Sequence, residues 1–278
     1  MDKKPTVSII MPTFNSGRFV AESIRSIQQQ DFTDWELLIT DDCSTDNTAD
    51  VVEEIAQSDK RVRFFKLDKS SGPGVARNLS IMESRGRYIA FCDSDDRWYP
   101  QKLSRQLAFM DEKRCALCYS SFVTCDEHGR LTGIISCNPQ ETKTTILRGD
   151  DIGCLTAIYD TERVGGKMMM PTLRKRQDWG LFMEIIRKSG TAYGIQEPLA
   201  ILRKRHRSVS SNKFSLVKYN VAVYQVVLGW SRIRAVTYFM VVFMPRYVLK
   251  RIRIKISNRI NLPELERQHK KLSEAGLV

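Results

Sequence analysis

The chain has 278 residues, 42% of them hydrophobic and 27% charged, a balance that excludes a disordered polymer and fits one large domain or a domain with an appendage. The net charge of +12 is unevenly placed: residues 203–278 hold 17 Lys and Arg against 3 Asp and Glu, while residues 1–202 hold 27 against 29. A nearly neutral body therefore carries a basic tail, which suits an anionic partner such as a lipid surface or nucleic acid.

The opening MDKKPTVSII leads into a short apolar run that reads as a strand, VSIIM at 7–11, rather than as a secretory signal. Residues 18–30 place Val20, Ile24 and Ile27 at helical spacing. WELLIT (35–40) is a second strand, and TDNTADVVEEIAQ a second helix with Ser44 and Thr45 as capping candidates. VRFFKL (62–67), GVARNLSIMESR and YIAFC (88–92) continue the alternation as strand, helix, strand. Repeated β-α units of this length predict a parallel, doubly wound α/β sheet. After a helix at 100–112 the pattern changes: ALCYSSFVTCDEHGRLTGI reads as two antiparallel strands around a turn at Asp126–Gly129. CLTAIY follows as a buried strand, QDWGLFMEIIRKSG as a helix closed by Gly190, and AYGIQEPLAILRKR as a last strand or two. Seven cysteines without an even framework predict reduced thiols; Cys115 and Cys118, though spaced CxxC, lack a second pair and read as buried.

Ligands of open α/β sheets bind at the carboxyl ends of the strands. Those ends carry Pro12, Thr13 and Asn15; Asp41 and Asp42; the run Ser70–Gly74; and Asp93, Ser94, Asp95 and Asp96. The glycines allow close backbone approach, Arg77 adds a fixed positive fork, and the carboxylates supply hard oxygen ligands. An Asp-x-Asp at a strand end suits a divalent cation that takes its remaining ligands from water and a diphosphate. No GxGxxG follows the first strand and no Gly-Lys-Ser/Thr occurs, which disfavours a dinucleotide dehydrogenase and a P-loop enzyme. Trp98 and Trp179 stand beside key aspartates, where either sugar stacking or core packing accounts for them. Asp178 sits at a helix start, a position the helix dipole also favours.

VSIIMPTFN, LLITDDCSTDNT, GPGVARN, YIAFCDSDDRWYPQKL and RKRQDWGLFMEI, in that order over residues 6–210, resemble the motifs of the family 2 glycosyltransferases. That resemblance implies the GT-A fold, a nucleotide-diphosphate-sugar donor (UDP-sugar foremost), Mg or Mn as cofactor, and transfer with inversion at the anomeric carbon. It implies that Pro12 and Thr13 line the base with Asp42, with Asn15 and Asp41 on the same rim; that Arg77 lies near the diphosphate; that Asp95 binds the metal, with Asp93 on the ribose or a metal-bound water and Ser94 between them; and that Asp178 is the catalytic base. Gln177 departs from the glutamate usual before that base, removing one negative charge beside it. Asp96 is expected to orient its loop or cap the helix near Pro100. RKRHRSVSS resembles the family's segment after the last core strand, with Arg205 and His206 as minor candidates.

Two regions are expected: a GT-A catalytic domain at 1–212 and a basic amphipathic tail at 213–278. The tail's charge-free run AVTYFMVVFMP has 11 residues, short of the ~20 that span a bilayer. Flanking arginines make it an interfacial helix on an anionic membrane surface, the competing reading being a helix packed on the body. The expectation is a cytoplasmic protein held peripherally on the inner face of the plasma membrane. It would use a glycan acceptor, lipid-linked, in bacterial surface polysaccharide assembly. Absence of QxxRW argues against a processive synthase. The alternatives are a nucleotidyltransferase, which would want a Gly-rich basic loop after the first strand, and a catalytically silent nucleotide-sugar binder. Aromatic and aliphatic interleaving in the tail argues against nucleic acid.

Overall fold

The computed structural model describes residues 4–205 and 213–274. Strands β1 (Val7–Thr13), β2 (Trp35–Asp41), β3 (Val62–Lys66) and β4 (Tyr88–Phe91) alternate with helices α1 (Val20–Gln28), α2 (Thr48–Ser58) and α3 (Pro73–Glu83). There follow β5 (Arg97–Trp98), α4 (Lys102–Lys113), β6 (Leu117–Cys125), β7 (Leu131–Ile135), β8 (Gln140–Glu141), β9 (Ile158–Asp160), α5 (Thr161–Val164), α6 (Gln177–Ser189) and β10 (Ala192–Arg203). The C-terminal region is helical: α7 (Lys213–Leu228), α8 (Arg232–Tyr238), a π turn (Phe239–Phe243) and α9 (Met244–Glu274).

The sheet runs β3-β2-β1-β4-β9-β6-β10-β5, with β7 on β6 and β8 on β10. β1 to β4 pair in parallel, and every residue of β1 and β2 is buried, as expected of strands covered on both faces. The short β9 runs antiparallel between β4 and β6, joining the parallel half to a second half built on the parallel pair β6 and β10. The β6-β7 hairpin turns where Asp126 and Gly129 predict it.

Three local expectations change. Helix α2 begins at Thr48, and Ser44 and Thr45 do not cap it: Ser44 donates to Asp41 while Asp46 accepts from the Thr48 amide at 3.0 Å. CLTAIY is strand only at its end: Cys154–Thr156 form a 3-10 turn, and Ile158 and Tyr159 begin β9. Trp98 and Trp179 are core residues, 2% and 0% exposed; their indole N–H groups donate to the Leu155 and Ile146 carbonyls, both at 2.9 Å, so neither faces a sugar. All seven cysteines are thiols; five, including Cys115 and Cys118, are buried.

The C-terminal helices share the body's core. Val223, Tyr224, Val227, Ala235, Phe239 and Phe243 are buried in one cluster with Trp179 and Phe182. Trp179 meets Tyr224 edge-on at 5.5 Å and Phe243 at 5.6 Å. The π turn sets Phe239 and Phe243 stacked at 5.1 Å toward that core, leaving Met240 and Val241 in solvent.

One charge lies deep in the fold. Lys102 is fully buried, its Nζ 3.9 Å from the Trp98 ring centroid and donating to Gln106 at 2.6 Å. Burial pushes its pKa down to about 7, against the opposing pull of Cys92 and Cys118. Above that value the folded lysine has released its proton while an unfolded one, near its ordinary 10.5, keeps it. Stability is therefore expected to rise from pH 7 to pH 9, by up to ~1.4 kcal/mol per unit. Lys102→Met should flatten that slope in urea unfolding at the two pH values; an unchanged slope would exclude the assignment.

Candidate active site

Four loops at the carboxyl edge of the sheet are laced together by side chains. Asn15, in the left-handed region at φ 46°, accepts from the Thr45 amide through its side-chain oxygen and donates its own amide to Ser44 Oγ, each at 2.8 Å. Ser94 Oγ bonds Ser16 Oγ at 2.9 Å, tying the β4 loop to the β1 loop. Asp41 is buried and accepts from the Ser44 amide at 2.8 Å and from its hydroxyl. Thr13 ends β1 beside Pro12, buried, its hydroxyl without a partner among the described residues.

Asp42 connects β2 to the α3 entry. Its carboxylate accepts from the amides of Ser71 at 2.6 Å and Gly72 at 2.9 Å and from Ser70 Oγ at 3.2 Å. Gly72 has φ 91°, a conformation other residues adopt at a cost, and Pro73 follows where a helix needs no N–H donor. That turn sends α3 across the sheet edge and sets Arg77, 6% exposed, against Asp93 at 2.5 Å. Burial opposes the Arg77 charge, but Asp93 foremost, with Cys154 and Asp178, holds its pKa above the ordinary value. Arg77 Nε has no hydrogen-bond partner among the described residues.

The three aspartates after β4 have three environments. Asp93 pairs with Arg77. Asp95 is half-buried, with Arg205 Nε 3.3 Å from its Oδ2; burial and the Asp93 charge push its carboxyl up to about 6, and Arg205 pulls it back. Asp96 is buried and accepts from the Arg203 amide at 2.9 Å, which corrects its expected capping of the helix near Pro100: α4 starts at Lys102 with no side-chain cap. Burial, then Asp95, pushes the Asp96 carboxyl well above its usual range. Arg203 fastens the loop further, through Nε to the Asp95 carbonyl at 3.1 Å and through an ion pair to Glu22.

Asp178 arrives from the other half of the molecule. Arg176 takes φ 67° at the start of α6, Gln177 is buried with its side chain against Gly74, and Asp178 occupies the first turn, accepting from the Trp179 amide at 2.9 Å. Its charge acts on Arg77, Asp150 and Cys154, and Cys154 also feels Arg77, Asp93 and Asp150. The Gln177 side chain against Gly74 brings the start of α6 to the α3 entry, where the Asp178 charge bears on Arg77. His206 lies outside the described residues.

Among the described residues no group of three or more His, Cys, Asp or Glu could hold a metal ion alone. Asp95 with Asp93 nearby fits a cation of the other kind, one that keeps water and diphosphate oxygens as most of its ligands. A guanidinium already sits against Asp95, where positive charge is favoured.

Sequence reasoning missed Asp150, Arg176 and Arg203. The adjacent acids in RGDDIG, with no compensating charge in the following residues, were the available signal for the first.

A mixed sheet of this order, with carboxylates and an arginine at its strand ends, is a GT-A glycosyltransferase fold. The family model described as Glycosyl transferase family 2 matches residues 8–161, more than half of the chain. The chain is 38% identical over 223 residues to TuaG of Bacillus subtilis, a glycosyltransferase named for teichuronic acid biosynthesis, covering 80% of this chain and 88% of TuaG. It is 32% identical over 214 residues to WfgD of Escherichia coli, named a UDP-Glc:alpha-D-GlcNAc-diphosphoundecaprenol beta-1,3-glucosyltransferase, covering 76% and 82%. Residues 1–349 of S. aureus TarS in complex with UDP-GlcNAc superpose with a TM-score of 0.68 at 22% identity, covering 88% of this chain and 76% of that one. The mannosyltransferase PcManGT of Pyrobaculum calidifontis, in complex with GDP-Man and Mn2+, gives 0.60 at 14% identity, covering 98% and 81%. The chain belongs to the family 2 glycosyltransferases.

Proposed function

We propose that the protein transfers a single sugar, with inversion, from a nucleotide-diphosphate sugar, UDP-sugar foremost, to a lipid-linked glycan in bacterial surface polysaccharide synthesis. The observation that carries this is the Arg77–Asp93 pair, with the start of α6 set against the α3 entry by Gln177 on Gly74. Asp178 takes the proton from the acceptor hydroxyl as that oxygen attacks the anomeric carbon opposite the leaving diphosphate. Arg77, desolvated and with an unpaired Nε, stabilises the charge that develops on the diphosphate. Asp95, with Asp93 on the ribose side, would hold Mg or Mn, which when bound neutralises charge on the diphosphate. Pro12, Thr13 and Asp42 would line the base; Asp42 Oδ1 accepts one bond, from the Ser71 amide, and keeps a lone pair for a base-ring N–H. The activity for which WfgD is named supports a lipid-linked acceptor, and WfgD and TarS with UDP-GlcNAc support a UDP donor. A panel of nucleotide sugars with Mn2+ or Mg2+ tests the reading by released nucleoside diphosphate, with an undecaprenyl-diphosphate-linked GlcNAc acceptor present; no release from any donor refutes it.

The tail supports placement on the inner face of the plasma membrane, peripherally. No helix among the described residues is long and apolar enough to cross a membrane. Leu249, Ile252 and Ile256 of α9 are exposed, with Arg251, Lys255 and Arg259 among them, the make-up of a helix lying on anionic lipid. Replacing Leu249 and Ile252 together by Glu is expected to reduce co-flotation with phosphatidylglycerol vesicles by about tenfold or more. Unchanged flotation would show that this face is not the contact.

A further inference from the structure

Helix α9 does more than present an outer face. Arg246 and Lys250, four residues apart, share one side of the helix, and that side faces the body. Arg246 donates to Asp151 Oδ2 at 2.6 Å and to the Thr145 carbonyl at 3.4 Å. Lys250 pairs with Asp151 Oδ1 and donates to the Asp150 carbonyl at 3.3 Å. Asp151 is 5% exposed at its side chain, so these cations meet a carboxylate held largely away from water.

The neighbouring carboxylate faces the other way. Asp150 pairs with Arg176, the residue that enters α6 in the left-handed conformation two positions before Asp178. Asp150 Oδ1 and Arg176 Nε are buried without hydrogen-bond partners among the described residues, so the pair is held mainly by its single ion contact. Burial pushes the Asp150 carboxyl up to about 6 and the Asp178 charge adds to that, while Arg176 pulls it down. The stretch from Gly149 to Gly153 belongs to no strand; it lies between two 3-10 turns, Ile146–Arg148 and Cys154–Thr156. With little backbone pairing of its own, it is held by Ile152, buried in the core, and by the charges at either side.

We propose that Arg246 and Lys250 are positioning residues for the base: through Asp151 and Asp150 they fix Arg176, and through Arg176 the turn that aims Asp178 at the acceptor hydroxyl. This rests on reading Asp178 as the base. Gln177 gives up the negative charge that a glutamate would place beside that base, and Asp150 supplies a carboxylate close by from a different part of the chain.

The test uses full-length protein carrying Arg246→Gln with Lys250→Gln. Amide exchange followed by mass spectrometry is expected to quicken about tenfold in peptides spanning 146–155 and 174–181 and to stay unchanged in β1, β2 and β4. Calorimetric affinity for UDP with Mn2+ should stay within about twofold, since those contacts sit on the other loops. In donor turnover kcat should fall about tenfold at constant donor KM, and Arg246→Lys with Lys250→Arg should restore it. Unchanged exchange at 174–181 overturns the proposal, as does quickening spread evenly over the chain, which would mean that the pairs merely hold the tail down. Exchange is read without catalysis, so failure of the base assignment itself, seen as full turnover by Asp178→Asn, is distinguishable from failure of this inference.

Discussion

Asp178→Asn is expected to lower sugar transfer by about 10²- to 10⁴-fold while leaving Mn2+-dependent UDP binding intact. The substitution keeps the size of the side chain and its ability to accept from the Trp179 amide, so the start of α6 should be undisturbed. What it removes is the proton acceptor and one negative charge facing Arg77. Transfer rate and UDP affinity measured on the same preparation separate the two outcomes. Loss of rate at constant affinity assigns the base, whereas retained rate assigns the proton to another group.

Asp95→Ala is expected to weaken Mn2+-dependent UDP binding by about 100-fold, equivalent to ~2.7 kcal/mol. With at most two carboxylates available to the cation, losing one leaves most of its coordination to water and phosphate. The same variant releases Arg205, which in the parent rests against that carboxylate. UDP binding without metal is therefore expected to change little or to improve slightly. Calorimetry with and without Mn2+ decides: equal weakening in both conditions would make Asp95 a nucleotide contact rather than a metal ligand.

The parallel half of the sheet was legible because β1, β2 and β4 are mostly apolar runs, and because Gly72 and Pro73 mark the turn between β3 and α3. The place of β9 was not: a three-residue strand between β4 and β6 is fixed by pairing with distant partners, and its own residues look like any short buried run. The motifs of the site pointed to Asp93, Arg77 and Asp178; Arg77 pairs with Asp93, and the Asp178 charge bears on Arg77. Asp96 looked like a cap because the next helix starts close by, yet its partner is an amide 107 residues away. Arg176 and Asp150 were hidden for the same reason, since an ion pair spanning 26 residues leaves no periodic trace. Trp98 and Trp179 stand beside site residues in sequence, but alternation of strand and helix faces turns them inward. The tail's aromatic residues matched an interfacial helix in composition. Tyr224, Phe239 and Phe243 are nevertheless packed in the core around Trp179, while Met240 and Val241 between them and Leu249, Ile252 and Ile256 farther along are exposed.

That shared core limits how the chain can be dissected. Cutting before α7 would strip Trp179 of Tyr224 and Phe243 and open a hole lined by aromatic rings behind the helix that carries Asp178. A shortened form ending near residue 212 should thus come out aggregated rather than as a clean catalytic core. Grafting a relative's tail onto this body would succeed only if the aromatic knobs were carried over together with the sockets that receive them.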